Sequence, residues 1–245
     1  MNAERIAQSI SDWIARKVHE AGARGVVVGL SGGVDSAVVL ALSQRAVGSS
    51  VLGVIMPCGN SDADAQDALL VAGTLSAGTI TVPLDKAYRV LTEAVPDATR
   101  TACGNLKARL RMAILYAHAN SLNYIVAGTG NRCELAVGYF TKYGDGGVDI
   151  LPIGGLVKSE VRQLARHLGI PPRIINRTPT AGLWPGQTDE GELGITYDVL
   201  DEIVEALDNE RQPRAPADAL ARVKALMTTS EHKRALPPIC PVIRR

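Results

Sequence analysis

The chain has 245 residues and nearly balanced charge, with 26 lysines and arginines against 25 aspartates and glutamates. A hydrophobic content of 46% can form a sizeable core, and at about 150 residues per domain a single α/β domain over residues 1–245 is the simplest interpretation. The net charge of +1 and the 4% aromatic content disfavour nucleic acid as a partner. We find no apolar run of the roughly 18–20 residues that span a bilayer, and four isolated cysteines predict reduced thiols in the cytoplasm.

Buried-strand patterns alternate with helical patterns through the first half of the chain. Apolar residues at helical spacing predict an opening helix over residues 6–18. Strands are then predicted at 26–30, 51–56, 79–82 and 124–127, and helices from the end of the loop 31–36 to about 46 and at 62–75, 87–94 and 105–120. Ser61 or Asp62 can cap the helix that ends near Leu75. This alternation predicts a Rossmann-like, doubly wound parallel sheet flanked by helices.

The second half of the chain is richer in predicted loops. Residues 128–153 hold many glycines and polar groups, which is typical of a functional loop system. Helices are predicted at 158–168, 197–207 and 215–227, with a further loop at 178–194. We find no repeat and no clear linker, so we expect one domain with flexible substrate loops at about 130–150 and 178–194.

The strongest motif lies between the first predicted strand and its helix. It reads Gly29, Leu30, Ser31, Gly32, Gly33, Val34, Asp35 and Ser36. Glycines allow close backbone approach, and free amides at a helix start attract anionic oxygens. The motif is neither a Walker A loop nor a GxGxxG fingerprint. A carboxylate here would repel phosphate unless a cation intervened, so Asp35 predicts bound Mg²⁺.

Two more clusters point to anionic ligands. Lys107, Arg109 and Arg111 fall in the first turns of the predicted helix 105–120, where cations oppose the macrodipole and favour a compensating anion. The fourth predicted strand leads into Gly128–Glu134, which offers Glu134 as a second carboxylate for the metal and Thr129 as a hydroxyl near the nucleotide.

The Ser31–Ser36 loop resembles the pyrophosphate-binding loop of the ATP pyrophosphatases, a superfamily whose members split ATP into AMP and pyrophosphate. Two alternatives remain open on the loop alone. A tRNA-thiolating enzyme would need a sulfur-carrying cysteine set and a basic surface that the composition does not offer. A non-catalytic nucleotide-binding module would leave the carboxylates and lysines of the other clusters without a role.

Further strings narrow the resemblance to the ammonia-dependent NAD synthetase family. They occur in the family's order at 105–112, 128–134, 138–149, 151–158, 178–194 and 232–234. The resemblance implies a ligase that forms a C–N bond. ATP adenylates the nicotinate carboxylate of deamido-NAD, pyrophosphate leaves, and ammonia attacks the acyl-adenylate to give NAD and AMP. It also implies a cytoplasmic homodimer. Because the synthetase would fill the chain, we expect free ammonia as nitrogen donor and no fused glutaminase domain.

The family's site residues carry over position by position. The resemblance implies that Asp35 and Glu134 bind Mg²⁺, that Asp149 assists deprotonation of ammonia, and that Lys158 neutralises phosphate. The residues implied to bind ATP are Gly29, Leu30, Ser31, Gly32, Gly33, Val34, Asp35, Ser36, Thr129, Lys158 and Thr180. The residues implied to bind deamido-NAD are Arg109, Lys142, Asp149, His232 and Lys233. Trp184 is interpreted as a packing residue at the base of its loop.

Overall fold

A four-stranded parallel sheet organises the computed structural model, which describes residues 2–59 and 62–242. The strands are β1 (Gly25–Gly29), β2 (Val51–Ile55), β3 (Thr79–Thr81) and β4 (Tyr124–Ala127). The helices are α1 (Ala3–Glu20), α2 (Val34–Val47), α3 (Asp62–Leu75), α4 (Asp85–Glu93), α5 (Arg100–Leu122), α6 (Arg132–Val137), α7 (Lys158–His167), α8 (Pro172–Ile175), α9 (Asp189–Leu193), α10 (Tyr197–Asp208), α11 (Ala217–Thr229) and α12 (Glu231–Arg234). This single parallel α/β domain confirms the predicted fold class. Within the described residues, no helix has both the length and the apolar character needed to cross a membrane.

The strand order β3-β2-β1-β4 puts β1 in the interior of the sheet. Val26 and Val28 of β1 pair with Val51 and Gly53 of β2, and β1 also pairs in parallel with β4. The chain proceeds from β1 to β2 on one side and returns to β4 on the other. The carboxyl ends of β1 and β4 therefore form a topological switch point, where α/β sheets open a crevice for ligands.

The side chains of β1 point alternately to the two faces of the sheet, and each face has its own hydrophobic core. Val26 and Val28 are fully buried in a cluster with α1, α2 and α7, whereas Val27 is fully buried on the opposite face against α5. Burial on both faces explains why this strand is a continuous run of valines rather than an alternating one. A third cluster, formed mainly by α6, α10 and α11, packs beyond the sheet and supports the segments that follow β4.

Helix α5 begins earlier than the sequence predicts. Its N-cap is Thr99, whose hydroxyl accepts a hydrogen bond from the Ala102 amide at 3.2 Å. The predicted start at residue 105 was therefore wrong, because a single threonine cap marks the true start of the helix. Lys107 is the eighth residue of α5, beyond the first turn where the helix dipole acts most strongly. The helix dipole therefore does not require an anionic ligand beside these cations.

Short helices also lie inside the stretches predicted as loops. Helix α6 starts at a capping box, in which the Asn131 side chain accepts from the Glu134 amide and the Glu134 carboxylate accepts from the Asn131 amide. Helix α9 lies within 178–194 behind its N-cap Thr188, and α8 and α12 were also not predicted. Ser61, one of the two proposed caps of α3, lies outside the described residues.

Gly25 offers a test of the sheet packing. A Cβ at this position would lie 2.1 Å from the Ser50 carbonyl oxygen, which is backbone and cannot simply rotate away. We expect Gly25→Ala to lower the free energy of unfolding by about 1–3 kcal/mol through overpacking. The measurement is equilibrium unfolding in urea. The matched control is Gly73→Ala in α3, where nothing lies within 4 Å of the added Cβ. The free energy of unfolding of this control should stay equal to that of the wild type or rise by up to about 1 kcal/mol. Equal stability of both variants would contradict the predicted clash.

Candidate active site

A cavity of about 430 Å³ opens at the carboxyl ends of β1 and β4. The loop after β1 and the start of α2 form its floor, and α5 forms one wall through residues such as Asn105 and Met112. The segment 178–184 forms the facing wall. The cavity therefore lies at the topological switch point of the sheet.

The glycine-rich loop has the geometry of an anion cradle. Gly33 is the N-cap of α2 in extended conformation, and no side chain caps the helix there, so amides at the helix start are open to an anionic ligand. Ser36 fixes the turn, since its hydroxyl donates to the Gly33 carbonyl oxygen at 2.9 Å and accepts from the Ser31 amide at 3.3 Å. Gly32 has φ +82°, and a Cβ there would lie 2.6 Å from the Asp64 carbonyl oxygen of α3. Only glycine fits this turn without displacing α3.

A buried lysine joins the two carboxylates predicted to bind the metal. Lys158 Nζ lies 2.6 Å from Asp35 Oδ2 and 3.6 Å from Glu134 Oε1, and its side chain is 3% exposed. Asn131 donates to the other Asp35 oxygen at 3.2 Å. The structure thus brings Asp35, Glu134 and Lys158 together from α2, α6 and α7, which are far apart in the chain.

A third carboxylate, that of Asp189, is connected to this cluster through Tyr197. The hydroxyl of Tyr197 lies 3.0 Å from Asp189 Oδ2 and 3.2 Å from Glu134 Oε1. Asp189 is 4% exposed, and its Oδ1 has no hydrogen-bond partner among the described residues. The sequence offered one signal for Asp189, its position directly after the helix cap Thr188. An acid in the first turn of a helix is so common that it did not suggest a site.

The surroundings of this cluster disfavour ionised carboxylates. Burial raises the pKa of Glu134 and of Asp189 above the usual range, and the charge of Asp35 adds to both shifts. Burial alone would lower the pKa of Lys158, but Asp35 and Glu134 hold it above its usual range. One ammonium faces three carboxylates. Carboxylate oxygens are the ligand type that Mg²⁺ prefers, but among the described residues no group of three or more histidine, cysteine or acidic side chains is placed to hold a metal ion by itself.

The start of α7 shows how a lysine is accommodated at a helix N-terminus. Asp201 of α10 accepts hydrogen bonds from the backbone amides of Lys158 and Ser159 at 3.1 and 2.7 Å. A carboxylate from another helix therefore caps α7 and offsets the unfavourable position of the cation. The Cys133 thiol also donates to Asp201 at 3.0 Å.

Three other predicted site residues line the same cavity. Thr129 follows β4, and Thr180 belongs to the facing wall, where its hydroxyl accepts from the Gly182 amide at 3.1 Å. Lys233 reaches the cavity from α12 and donates to the carbonyl oxygens of Gly138 and Phe140 at 2.7 and 2.9 Å. Burial lowers the pKa of this lysine.

Four residues predicted to bind deamido-NAD do not line the cavity: Arg109, Lys142, Asp149 and His232. Three of them form a chain on the outer side, in which Arg109 donates to the Lys142 carbonyl oxygen at 3.4 Å and Lys142 donates to the His232 carbonyl oxygen at 2.5 Å. Asp149 accepts from the Tyr116 hydroxyl and the Val126 amide at 2.9 and 2.8 Å. Their role stays a prediction.

Asp145 and Arg111 also line the cavity, and Arg111 is one of the three cations for which the sequence suggested an anionic ligand. Asp145 is open to the cavity but surrounded by protein, and burial raises the pKa of its carboxyl group. Arg111 lines the cavity and donates to the Met56 carbonyl oxygen at 3.3 Å. Both lie in strings that the sequence singled out. A single sequence does not show which side of a helix or loop faces inward, so their position in the lining of the cavity could not be predicted.

These features define a class of protein: a parallel α/β fold with a glycine-rich loop at its switch point and a carboxylate–lysine cluster joined to that loop through Asp35. The family model for NAD synthase matches residues 6–237. The chain is 47% identical to the NH(3)-dependent NAD(+) synthetase of Carboxydothermus hydrogenoformans, covering 98% of both chains. It is 49% identical to that of Archaeoglobus fulgidus, covering 99% of this chain and 98% of the relative.

Solved structures give the same result. NMN synthetase from Francisella tularensis superposes with a TM-score of 0.92 at 38% identity, covering 99% of this chain and all of that one. NH3-dependent NAD synthetase from Campylobacter jejuni superposes with a TM-score of 0.85 at 31% identity, covering 98% and 100%. The chain belongs to the NAD synthase family.

The Tyr197 hydroxyl can be tested directly. We expect Tyr197→Phe to lower the free energy of unfolding by about 1–3 kcal/mol, because buried carboxylate oxygens lose a donor while the ring stays in place. Urea denaturation measures the change. Tyr124→Phe, at the amino end of β4, is the matched control and should have a smaller effect. A loss at Tyr197 no larger than that of the control would show that the hydroxyl does not hold the carboxylates.

Proposed function

We propose that the chain catalyses ATP-dependent amidation of the nicotinate carboxylate of deamido-NAD with ammonia, yielding NAD, AMP and pyrophosphate. This would make it a C–N-bond-forming ligase acting at the last step of NAD biosynthesis. The observation that carries the proposal is a single cavity lined both by the Ser31–Ser36 loop and by the cluster that Asp35 of this loop forms with Glu134 and Lys158. The curated relatives described above bear the name of this activity over nearly the whole chain.

The chemistry explains why this site needs both kinds of charge. A carboxylate is a poor electrophile, and transfer of AMP to it creates a leaving group for the attack of ammonia. The open amides at the start of α2 would bind the phosphates of ATP. Lys158 already lies against the acidic cluster, so its ammonium is held where it can offset negative charge as pyrophosphate separates from AMP.

Asp35 and Glu134 are the proposed ligands of Mg²⁺, with phosphate oxygens of ATP and water completing its coordination. Two carboxylates with substrate phosphates are a typical magnesium environment. When bound, the ion would neutralise negative charge on the phosphates. The excess of carboxylates over ammonium groups around Lys158 supports this proposal.

The remaining residue roles are proposed with different degrees of structural support. Thr129 and Thr180 line the cavity and suit contacts with ATP, and Lys233 suits contacts with deamido-NAD. Arg109, Lys142, Asp149 and His232 are proposed for deamido-NAD on the family resemblance. For deprotonation of ammonia, Asp145 is a second candidate beside Asp149, because its carboxyl group lines the cavity.

We also propose that the enzyme works as a homodimer in the cytoplasm on small-molecule substrates, with free ammonia as nitrogen donor. Arg109, Lys142 and His232 are joined by hydrogen bonds outside the lining of the cavity, where Arg109 and His232 are exposed. A second subunit covering this outer side would help to enclose deamido-NAD. Analytical ultracentrifugation of the full chain gives the oligomeric state directly.

The Francisella structure supports a second candidate substrate. That relative bears the name NMN synthetase, and its TM-score of 0.92 is the higher of the two superpositions described above. The corresponding reaction would amidate nicotinate mononucleotide instead of deamido-NAD. The higher sequence identity to the curated NAD synthetases, at 47% and 49% against 38%, favours deamido-NAD.

A competition assay decides between the two substrates and tests the reaction itself. With ATP, Mg²⁺, ammonium and equal amounts of deamido-NAD and nicotinate mononucleotide, we expect mass spectrometry to detect mainly NAD, together with AMP and pyrophosphate. Predominant formation of NMN would transfer the proposal to the mononucleotide. Formation of ADP and phosphate would exclude the acyl-adenylate mechanism, whichever substrate is used.

The metal ligands are tested by removing their charge. We expect Asp35→Asn and Glu134→Gln each to lower kcat by about a hundredfold or more, because charge stabilisation by a bound metal is worth several kcal/mol. Circular dichroism should show folded protein. Glu20→Gln, on the exposed end of α1, is the matched control and should retain full rate. A variant of Asp35 or Glu134 that keeps the wild-type rate at saturating Mg²⁺ would rule out that residue as a ligand.

A further inference from the structure

The segment 178–188, which we term the wall loop, forms one side of the cavity with little regular structure of its own. Its backbone bonds include Gln187 N to the Trp184 carbonyl oxygen at 3.3 Å and Asp189 N to the Pro179 carbonyl oxygen at 3.1 Å. The first bond lies within the loop, and the second joins the first residue of α9 to the loop. Contacts with the rest of the fold therefore decide whether the loop stays against α5.

Lys107 provides one such contact from the opposite wall. Its Nζ donates to the Leu183 carbonyl oxygen at 2.9 Å, across 76 positions of sequence, and the residue is 7% exposed. The same ammonium lies 5.0 Å from the centre of the Tyr88 ring. A Cβ on Gly59 would lie 3.5 Å from it. One buried cation thus contacts the wall loop, α4 and the loop that follows β2.

Trp184 packs onto the same region of α5. A Cβ on Gly104 would lie 2.9 Å from Cζ3 of the Trp184 ring, so the helix surface is flat where the ring rests. The guanidinium of Arg100 lies 4.8 Å from the centre of that ring, a favourable cation–π distance. Gly104 and Lys107 are three positions apart in α5 and therefore lie on the same side of the helix.

We propose that Lys107 is a positioning residue that holds the wall loop closed over the cavity, with Gly104 as the seat for Trp184. The proposal deepens the function proposed above and rests on it only for its kinetic consequence. The sequence suggested an anionic ligand for Lys107. Its ammonium instead binds a carbonyl oxygen of the loop, and the residue does not line the cavity. Lys107 therefore acts on the substrates through the loop and not by contact.

Closure of the loop would raise the affinity for ATP. Residues 178–184 and Gln187 line the cavity, so displacing the loop removes most of one wall. If only the closed state binds ATP fully, the apparent dissociation constant rises in inverse proportion to the closed fraction. Losing a hydrogen bond from a charged donor shifts such an equilibrium by about tenfold.

Hydrogen exchange measured by mass spectrometry tests the latch without relying on activity. In the Lys107→Met variant of the full chain, we expect amides of peptides covering residues 178–188 to exchange about tenfold faster. Peptides from β1 and α2 should be unchanged. The matched control is Lys224→Met on the exposed side of α11, which should exchange like the wild type throughout.

Gly104→Ala tests the same latch from its other side and covers the case in which Lys107→Met does not fold. The added Cβ would displace the Trp184 ring while leaving the ammonium in place. We expect the same selective acceleration in residues 178–188. Unchanged exchange of the wall loop in a folded Lys107→Met variant overturns the proposal, as does acceleration spread evenly over the whole chain.

Kinetics separates positioning from direct participation. For Lys107→Met we expect KM for ATP to rise by up to about tenfold while kcat at saturating ATP changes little, because excess ATP drives the loop closed. Lys107→Arg, which keeps a charged donor, should restore part of the affinity. A fall in kcat with unchanged KM would mean that the ammonium acts on the reacting groups, and would overturn the proposal. If neither the wild type nor any variant forms NAD, the proposed function fails. Hydrogen exchange still decides whether Lys107 holds the wall loop closed.

Discussion

The ion pair between Lys158 and Asp35 is the constraint on which the site depends. It connects the helix that follows β1 with a helix that begins 123 positions later, and Glu134 adds the segment that follows β4. With 3% of its side chain exposed, Lys158 cannot leave this position without stranding buried carboxylates. The interaction fixes the relative position of the three segments that surround the cavity.

The parallel sheet makes this convergence possible. Since β1 and β4 are neighbours that run in the same direction, the glycine loop and the Thr129 segment emerge side by side at one edge. Sequence separation then has little importance: Asp201 caps α7 and Tyr197 reaches Glu134 because α10 packs against α6 and α7. Glycine is required where backbone segments approach each other, as Gly32 does toward α3.

How far the sequence predicts this protein depends on the kind of signal. The valine run of β1 and the glycine loop are local patterns, and they predicted the position of β1 and the turn that follows it to within a residue or two. The start of α5 was missed because a single threonine cap marks it. Asp189 and Tyr197 could not be assigned in advance, because their part in the cluster arises only when α9 and α10 fold back onto Glu134. Asp145 was not assigned and Arg111 was suggested only as one of three cations, since one sequence does not reveal which side of a helix or loop faces the cavity.

The electrostatics of the cavity differs from what the basic residues suggest. Lys107 and Lys233 donate to backbone carbonyl oxygens, Arg111 donates to the Met56 carbonyl oxygen, and Lys158 is held by carboxylates. These contacts place positive charge within the protein framework, where it joins separate segments. Around Lys158, the carboxylates of Asp35, Glu134 and Asp189 outnumber the ammonium. Because like charges repel, these carboxylates would oppose a bare triphosphate, which agrees with the divalent cation proposed above. The near-zero net charge of the chain therefore gives no sign of the opposite charges that are paired in this crevice.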